Sequence, residues 1–484
     1  RIKLTAIQGP KPEDNRWYKI AQSAARVAMM VRNVSVTYKN TYAMSISGFR
    51  PEIGDMLGQT KGASGFAPGL DFAFGMTGDS YINKALDNGW LVSDSVVSPA
   101  TTNAQEDLQI RMTLEPVRDL KIDLNAGRTR NKSNQIQFMY EGMPQIQSGN
   151  FNMTVITIGS AFERRSASNG YSSSSFNRFL GNLDIIKNRI ENMYAGVPYQ
   201  GQSGLNQQPL YQVNKYSSDV MIPAFLAAYT GRSASNSALD LFPGILSMMP
   251  NWRVTYSGLS KLEFFKKYFK SVTLNHAYRS TYSVGSYSTF QNFHSYMGDW
   301  GFVDDIQTGI PVPSSMYDVS AVSINEQFSP LLGVDVTFKN GITTKVEYKT
   351  TRILNLSLAA NQIVESSTKD FVLGMGYKIM GLELFPGRNK KDSKNKISND
   401  LALRMDVSFR NQSALARDIQ QVTTQATSGN KALKISFSAD YTLSRLLSVS
   451  FYYDRQKNTP LVSASSYPVT SADFGMRLKF SLTR

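Results

Sequence analysis

Residues 473–484 read DFGMRLKFSLTR. Phe474, Met476, Leu478, Phe480 and Leu482 fall on one face of an extended chain, and Gly475, Arg477, Lys479, Ser481 and Thr483 on the other. This alternation predicts a β-strand with an apolar face and a polar, partly cationic one. In a soluble sandwich the apolar face packs on a core. In a membrane barrel it meets lipid, and Arg477 and Lys479 face an aqueous lumen. An Arg or Lys facing lipid at the bilayer midplane costs about 2–4 kcal/mol.

The same period recurs upstream, at 32–39, 70–74, 108–114, 120–127, 134–141 and 151–162. The last third of the chain adds 333–338, 343–358, 371–377, 401–409, 433–441 and 447–453. Asn340-Gly341 lies between two of these and predicts a tight hairpin with positive φ at both central residues. The pattern is an up-and-down antiparallel meander of about 16 strand-like stretches, the expected sequence signature of a membrane barrel. Several stretches are long for a soluble sheet, and charges sit regularly on their polar faces.

Residues 171–270 break the pattern. Phe176, Phe179, Leu180, Leu183, Ile186 and Ile190 recur at helical spacing behind the serines 172–175, which offer N-caps. A second helix is expected in 219–229, confined to its later part by Pro223, and a third in 258–271. The expected organisation is therefore transmembrane strands with loops in 1–170, a partly helical insertion in 171–270, and a β-meander in 271–484.

Composition narrows the function classes. The 484 residues contain no cysteine and two histidines, His276 and His294, which excludes disulfide scaffolds and histidine-rich zinc sites. No phosphate-binding loop, dinucleotide fingerprint or HExxH is present. Neither an enzyme nor a cofactor is expected, and Asp304-Asp305 reads as a solvated turn. No run of about 18 apolar residues supports a transmembrane helix. Net charge is +15 and charged residues make up only 18%. The densest basic run is RNKKDSKNK at 388–396, with Arg388, Lys390, Lys391, Lys394 and Lys396. It lacks the interleaved aromatics that stack on bases, so nucleic acid is not an expected partner.

With the closing strand ending on the periplasmic side, parity places the 444–445 turn, Asn340-Gly341 and the lysine-rich 386–397 segment there too. That segment is then a possible periplasmic docking loop, and loops 411–431 and 454–470 face outward.

Asp473, Gly475, Leu478 and Phe480 match the polar-x-Gly-x-x-apolar-x-aromatic β-signal read by the outer-membrane barrel assembly machinery, with four residues following Phe480. Beyond it, GFAPGLDFAFG (65–75), LEPVRDLKIDLNAGRT (114–129), IPAFLAAYTG (222–231) and NWRVTYSGL (251–259) resemble the SprA (Sov) family. So do FKKYFKSVTLNHAYRSTYSVGSY (265–287), INEQFSPLLGVDVTFKNGIT (324–343) and DFGMRLKFSLTR.

The resemblance implies the C-terminal part of the type IX secretion translocon of Bacteroidota, a protein of secretion and gliding motility. Its single-chain outer-membrane barrel has about 36 strands. It implies folded secreted cargo as passengers, a small outer-membrane barrel protein that collects cargo, a periplasmic plug, and a linkage to the inner-membrane motor. The N-terminal remainder of the barrel would pair with the closing strand, and outer-membrane lipid would surround the wall. The residues alone leave two alternatives: a self-contained porin-like barrel for small solutes, and a soluble β-rich surface-binding protein.

Overall fold

The computed structural model describes residues 29–52, 54–62, 65–92, 98–138, 145–163, 167–197, 212–305, 309–382, 400–443, 447–462 and 467–480. In chain order the first strands are β1 (Val31–Ser45), β2 (Thr60–Gly62), β3 (Gly65–Ala67), β4 (Ala100–Val117), β5 (Leu120–Ile136) and β6 (Ile146–Thr154). Then come β7 (Asn251–Tyr256), β8 (Phe269–Thr289), β9 (Phe293–Met297), β10 (Trp300–Asp304), β11 (Pro311–Ser315), β12 (Tyr317–Val319) and β13 (Ala321–Phe338). The meander closes with β14 (Ile342–Ser357), β15 (Gln362–Ile379), β16 (Leu401–Asp418), β17 (Thr424–Thr442), β18 (Leu447–Pro460) and β19 (Val469–Phe480). Helices α1 (Leu70–Ala73), α2 (Tyr81–Asp87), α3 (Ser174–Met193), α4 (Ser218–Thr230) and α5 (Glu263–Tyr268) lie between strands.

Among the described residues, one mostly antiparallel sheet of 14 strands follows the path β1-β4-β5-β6-β8-β13-β14-β15-β16-β17-β18-β19, with β7 and β12 beside it. Among the described residues the sheet does not close on itself: β1 pairs with β4 and β19 with β18, and each has its other side as an edge.

One strand of the sheet is assembled from two distant pieces. β6 and β7 both pair antiparallel with β5 on one side and with β8 on the other. Met153 stands opposite Arg128, and Asn251 opposite Asn125, so β7 resumes the line that β6 leaves. Residues 155–250 are an excursion from this composite strand. Hydrogen bonds seal its mouth: Met249 N–H donates to Thr154 O at 3.1 Å, and Ser280 N–H to Asn251 Oδ1 at 2.8 Å.

The excursion carries the helical core. In α3 the Ser173 hydroxyl accepts from Phe176 N–H, and Phe176, Phe179, Leu183, Ile186 and Ile190 are buried. Almost every side chain of α4 is buried, and Gly231 ends it at φ 74°. Both helices share one core with the rows Phe151–Val284–Val322–Leu356 and Met153–Tyr282–Ile324–Leu354 of the sheet. Each such side chain taken out of water contributes about 1.5–3 kcal/mol.

Several sequence expectations shift. In place of a strand at 70–74, Leu70–Ala73 form α1 with Phe74 as its C-cap, and 134–136 are the end of β5, with 139–144 outside the described residues. The 151–162 stretch leaves the sheet at Thr154, where the excursion begins, and turns through a 3-10 helix at Ile158–Ser160. The helical insertion expected at 171–270 gives way before 270, because β7 and the start of β8 belong to the sheet. Pro223 sits inside α4, which already starts at Ser218 and is held by tertiary burial. The third helix shrinks to α5 behind a 3-10 turn at Gly258–Lys261.

The expected loop 411–431 is almost entirely strand, since β16 runs to Asp418 and β17 starts at Thr424. Loop 454–470 likewise shortens, as β18 continues to Pro460 and β19 begins at Val469. At the β13–β14 hairpin only Gly341 has positive φ, 88°. Gly341 N–H donates to Phe338 O at 3.1 Å, which makes a three-residue loop with Gly in the left-handed position instead of the two-residue turn.

Candidate functional site

The antiparallel registers carry apolar side chains from strand to strand on one face of the sheet. One row runs Val272–Val336–Thr344–Met375–Met405–Phe437–Tyr453–Phe474. Beside it run Leu274–Val334–Val346–Leu373–Val407–Ile435 and Ile342–Tyr377–Leu403–Ala439–Phe451–Met476. Toward β1 the band continues through Val34–Met112–Leu124–Trp252–Tyr278. In β16–β19 much of it is open: Phe409, Phe437, Phe451, Met476, Leu478 and Phe480 are exposed, and Phe474 is 82% exposed. A continuous apolar surface on this scale marks an interaction surface, for protein or membrane.

The alternate positions face the other way and are polar. Their rows include Asp473–Asp454–Ser436–Asp406–Gly374–Lys345–Asp335 and Gly475–Tyr452–Ser438–Arg404–Gly376–Thr343. Charges of both signs pair there: Arg410 with Asp370 at 2.8 Å, and Lys345 and Lys349 with Glu347 at 2.9 and 2.8 Å.

The excursion lies on the apolar side of this wall. On β14, Val346 and Tyr348 belong to the open band, and Arg352, Leu354 and Leu356, of the same parity, are buried. β15 and β16 repeat this: Phe371 and Phe409 are exposed, while Ile363, Glu365, Leu415 and Arg417 are buried. The wall therefore has a bare apolar zone toward the 339–341 turn and a covered zone toward the opposite end.

Two buried ion pairs mark the border between the zones. Arg352 lies 2.7 Å from Glu326, and donates through Nη1 to Ser160 O at 2.6 Å and through Nη2 to Ser160 Oγ at 2.7 Å. Glu326 also accepts from Thr157 at 2.6 Å and from Tyr278 at 3.0 Å. Arg417, fully buried, pairs with Glu365 at 3.1 Å and donates to Tyr171 O at 2.8 Å. Each arginine thus clips the excursion to a wall strand. Within the excursion, Glu163 ties the preceding turn to the start of α3: burial raises its pKa, but hydrogen bonds from Ser173, Ser175 and Ser174 outweigh this and hold it down at about 2.

Eight of the predicted site residues stand on β19. Phe474, Met476, Leu478 and Phe480 share the apolar face, opposite Tyr453, Phe451, Val449 and Leu447, while Arg477 and Lys479 lie opposite Ser450 and Ser448. Asp473 faces Asp454, and Gly475 faces Tyr452, whose ring lies across it. A Cβ at 475 would fall 2.6 Å from the Tyr452 hydroxyl, so glycine has a packing role here. Ser481 and Leu482 lie outside the described residues, as do Arg388, Lys390, Lys391, Lys394, Lys396 and the 444–445 turn.

Sequence reasoning missed the arginine clips. A lone Arg352 in phase with Leu354, Leu356 and Leu358 in RILNLSL (352–358) was the available signal. The two histidines are kept apart, His276 beside Leu331 O at 2.6 Å and His294 on Asp304 at 3.1 Å.

The fold and its faces define a large, mostly antiparallel β-wall, apolar on one side and polar on the other. No family model and no curated protein matches the chain. Among solved structures it aligns with OmpT, an outer membrane protein of Vibrio cholerae folded in vitro (trimer form), at 9% identity and a TM-score of 0.21. That alignment covers 80% of this chain and 93% of OmpT. A loop L8 deletion mutant of OmpT aligns over the same shares, at 8% identity and a TM-score of 0.20.

Proposed function

We propose that the chain is part of the wall of a wide outer-membrane β-barrel that passes folded proteins out of the cell, the translocon of type IX secretion. One observation carries the membrane half of this reading: an exposed apolar band crosses a sheet whose opposite face is charged. Lipid against the band and water against the charged rows satisfy both faces, and a barrel completed by further strands pairs the edges of β1 and β19.

The connections support a sidedness. The β4–β5 turn at 118–119 and the 339–341 loop lie at one end of the sheet, where the mouth of the longer β15–β16 connection is the exception, and the end of β1, the start of β4, the mouth of the 137–145 connection and 419–423 lie toward the other. Barrels of bacterial outer membranes keep short turns in the periplasm and longer connections outside. The excursion then covers the outer surface of the wall beyond the bilayer.

The secretion half rests on the resemblance of the quoted segments to the SprA (Sov) family. In this reading cargo crosses along the polar face, and a cargo-collecting small barrel protein, a periplasmic plug and the inner-membrane motor are partners. The basic 388–396 run is a docking loop, and the β19 edge pairs with the remainder of the barrel. Depleting the protein in cells is the test. Folded cargo should accumulate in the periplasm with small-solute uptake unchanged; loss of solute uptake with secretion intact would instead select the porin-like alternative.

A further inference from the structure

At the end of the wall that carries the 339–341 loop, the link between β7 and β8 forms a small projecting foot. Phe264, Phe265 and Tyr268 of α5 join Phe269 and Phe338 in a chain of ring contacts 4.9–6.0 Å apart. Phe338 pairs with Phe269 directly beside the Val336–Val272 row, so the aromatic cluster continues the apolar band at its edge. Its outermost ring, Phe264, is 71% exposed, and Leu262 and Tyr268 are exposed as well.

Lysines surround these rings. Lys261 is engaged by Asp119 at 2.6 Å. Lys266, Lys267 and Lys270 are exposed and make no ion pair among the described residues, and the Lys267 ammonium lies 5.5 Å from the Tyr268 ring centre. The foot's backbone is tied to the hairpin beside it, Lys339 N–H donating to Tyr268 O at 3.2 Å.

We infer that this foot is a membrane-interface anchor that binds anionic phospholipid, its aromatic rings at the level of the glycerol backbone and Lys266, Lys267 and Lys270 on headgroup phosphates. The inference rests on the membrane reading above. Continuity with the apolar band places the foot at the bilayer boundary, where Tyr268 suits the interface with its apolar ring and polar hydroxyl, and Phe264 and Leu262 supply the apolar face that an interfacial segment buries. Unpaired lysines complement an anionic surface, whereas a soluble partner would have to cover exposed Leu262, Phe264 and Tyr268 and the lysines together.

The absence of cysteine permits a direct test with the full chain folded into bilayers. Phe264→Cys carries an environment-sensitive dye, Phe437→Cys serves as the control within the band, and the lipids bear shallow bromines on phosphatidylethanolamine or on phosphatidylglycerol. The dye at 264 should be quenched more strongly by brominated phosphatidylglycerol, and the control equally by both. Changing each of Lys266, Lys267 and Lys270 to Gln should reduce that preference on the order of fivefold per charge. Equal quenching by the two lipids at 264 would overturn the anionic preference. A control that is quenched beside a dye at 264 that is not would overturn the anchor and leave the membrane reading standing. If neither position is quenched, both fail.

Discussion

Arg352 shows how a single side chain decides which part of the wall is covered. Its guanidinium is buried with Glu326 and reaches Ser160 of the excursion, so removing one partner leaves a buried charge unpaired. Arg352→Met should destabilise the docked excursion by about 3–5 kcal/mol, whereas changing Arg352 and Glu326 together to apolar residues should recover most of it. Denaturant titration of the two variants checks this; equal losses would contradict the clip.

Gly475 is legible in the sequence as one place of a β-signal, but its contact with Tyr452 is not, because that ring comes from another strand. Gly475→Val should cost about 1–3 kcal/mol by overpacking, and Tyr452→Ser in the same chain should relieve it, read as heat-modifiable mobility of the folded chain. The face assignments make a third forecast. Leu478→Arg should impair assembly, its charge costing about 2–4 kcal/mol against lipid, while Arg477→Leu should assemble. Equal loss of folded protein from both would contradict the assigned faces. The alternation that assigns them was fully legible in DFGMRLKFSLTR, since period two is a local property of the chain.

Among the elements, the composite strand of β6 and β7 was the least legible. Its halves are separated by residues 155–250, and nothing in either short stretch announces that the two are collinear. The far ends of β16 and β17 carry no local strand signal, since Asn411, Gln412, Ser413, Thr424, Gln425 and Ser428 lack apolar alternation; pairing with neighbouring strands holds them extended. α3 was legible from its spacing, and Ser173 from the serine run before it.

That helix start also has a pH signature. The Glu163 carboxylate is held at about 2 in the folded chain against an ordinary 4.5, so its contribution is present above 4.5 and is lost as pH falls toward 2. Protection factors of the α3 N-terminal amides, taken against the intrinsic exchange rate at each pH, should therefore fall across that window, and Glu163→Gln should remove this component. An unchanged profile in the variant would assign the acid sensitivity elsewhere.

For the whole molecule, the antiparallel meander and its two faces followed from alternation, but the position of the excursion did not. It lies on the apolar side, bound to strands whose same face is bare nearer the 339–341 loop, so that face meets two environments along its length. Which environment a given stretch meets depends on residues 155–250, distant in sequence from the strands they cover.

The central claim is that the bare rows meet lipid and the alternate rows meet water. A cysteine scan from Leu403 to Phe409, in a chain otherwise free of cysteine and folded in a membrane, tests it most directly. An aqueous thiol reagent should label positions 404, 406 and 408 and spare 403, 405, 407 and 409. Uniform labelling, or labelling in the opposite phase, would contradict the account.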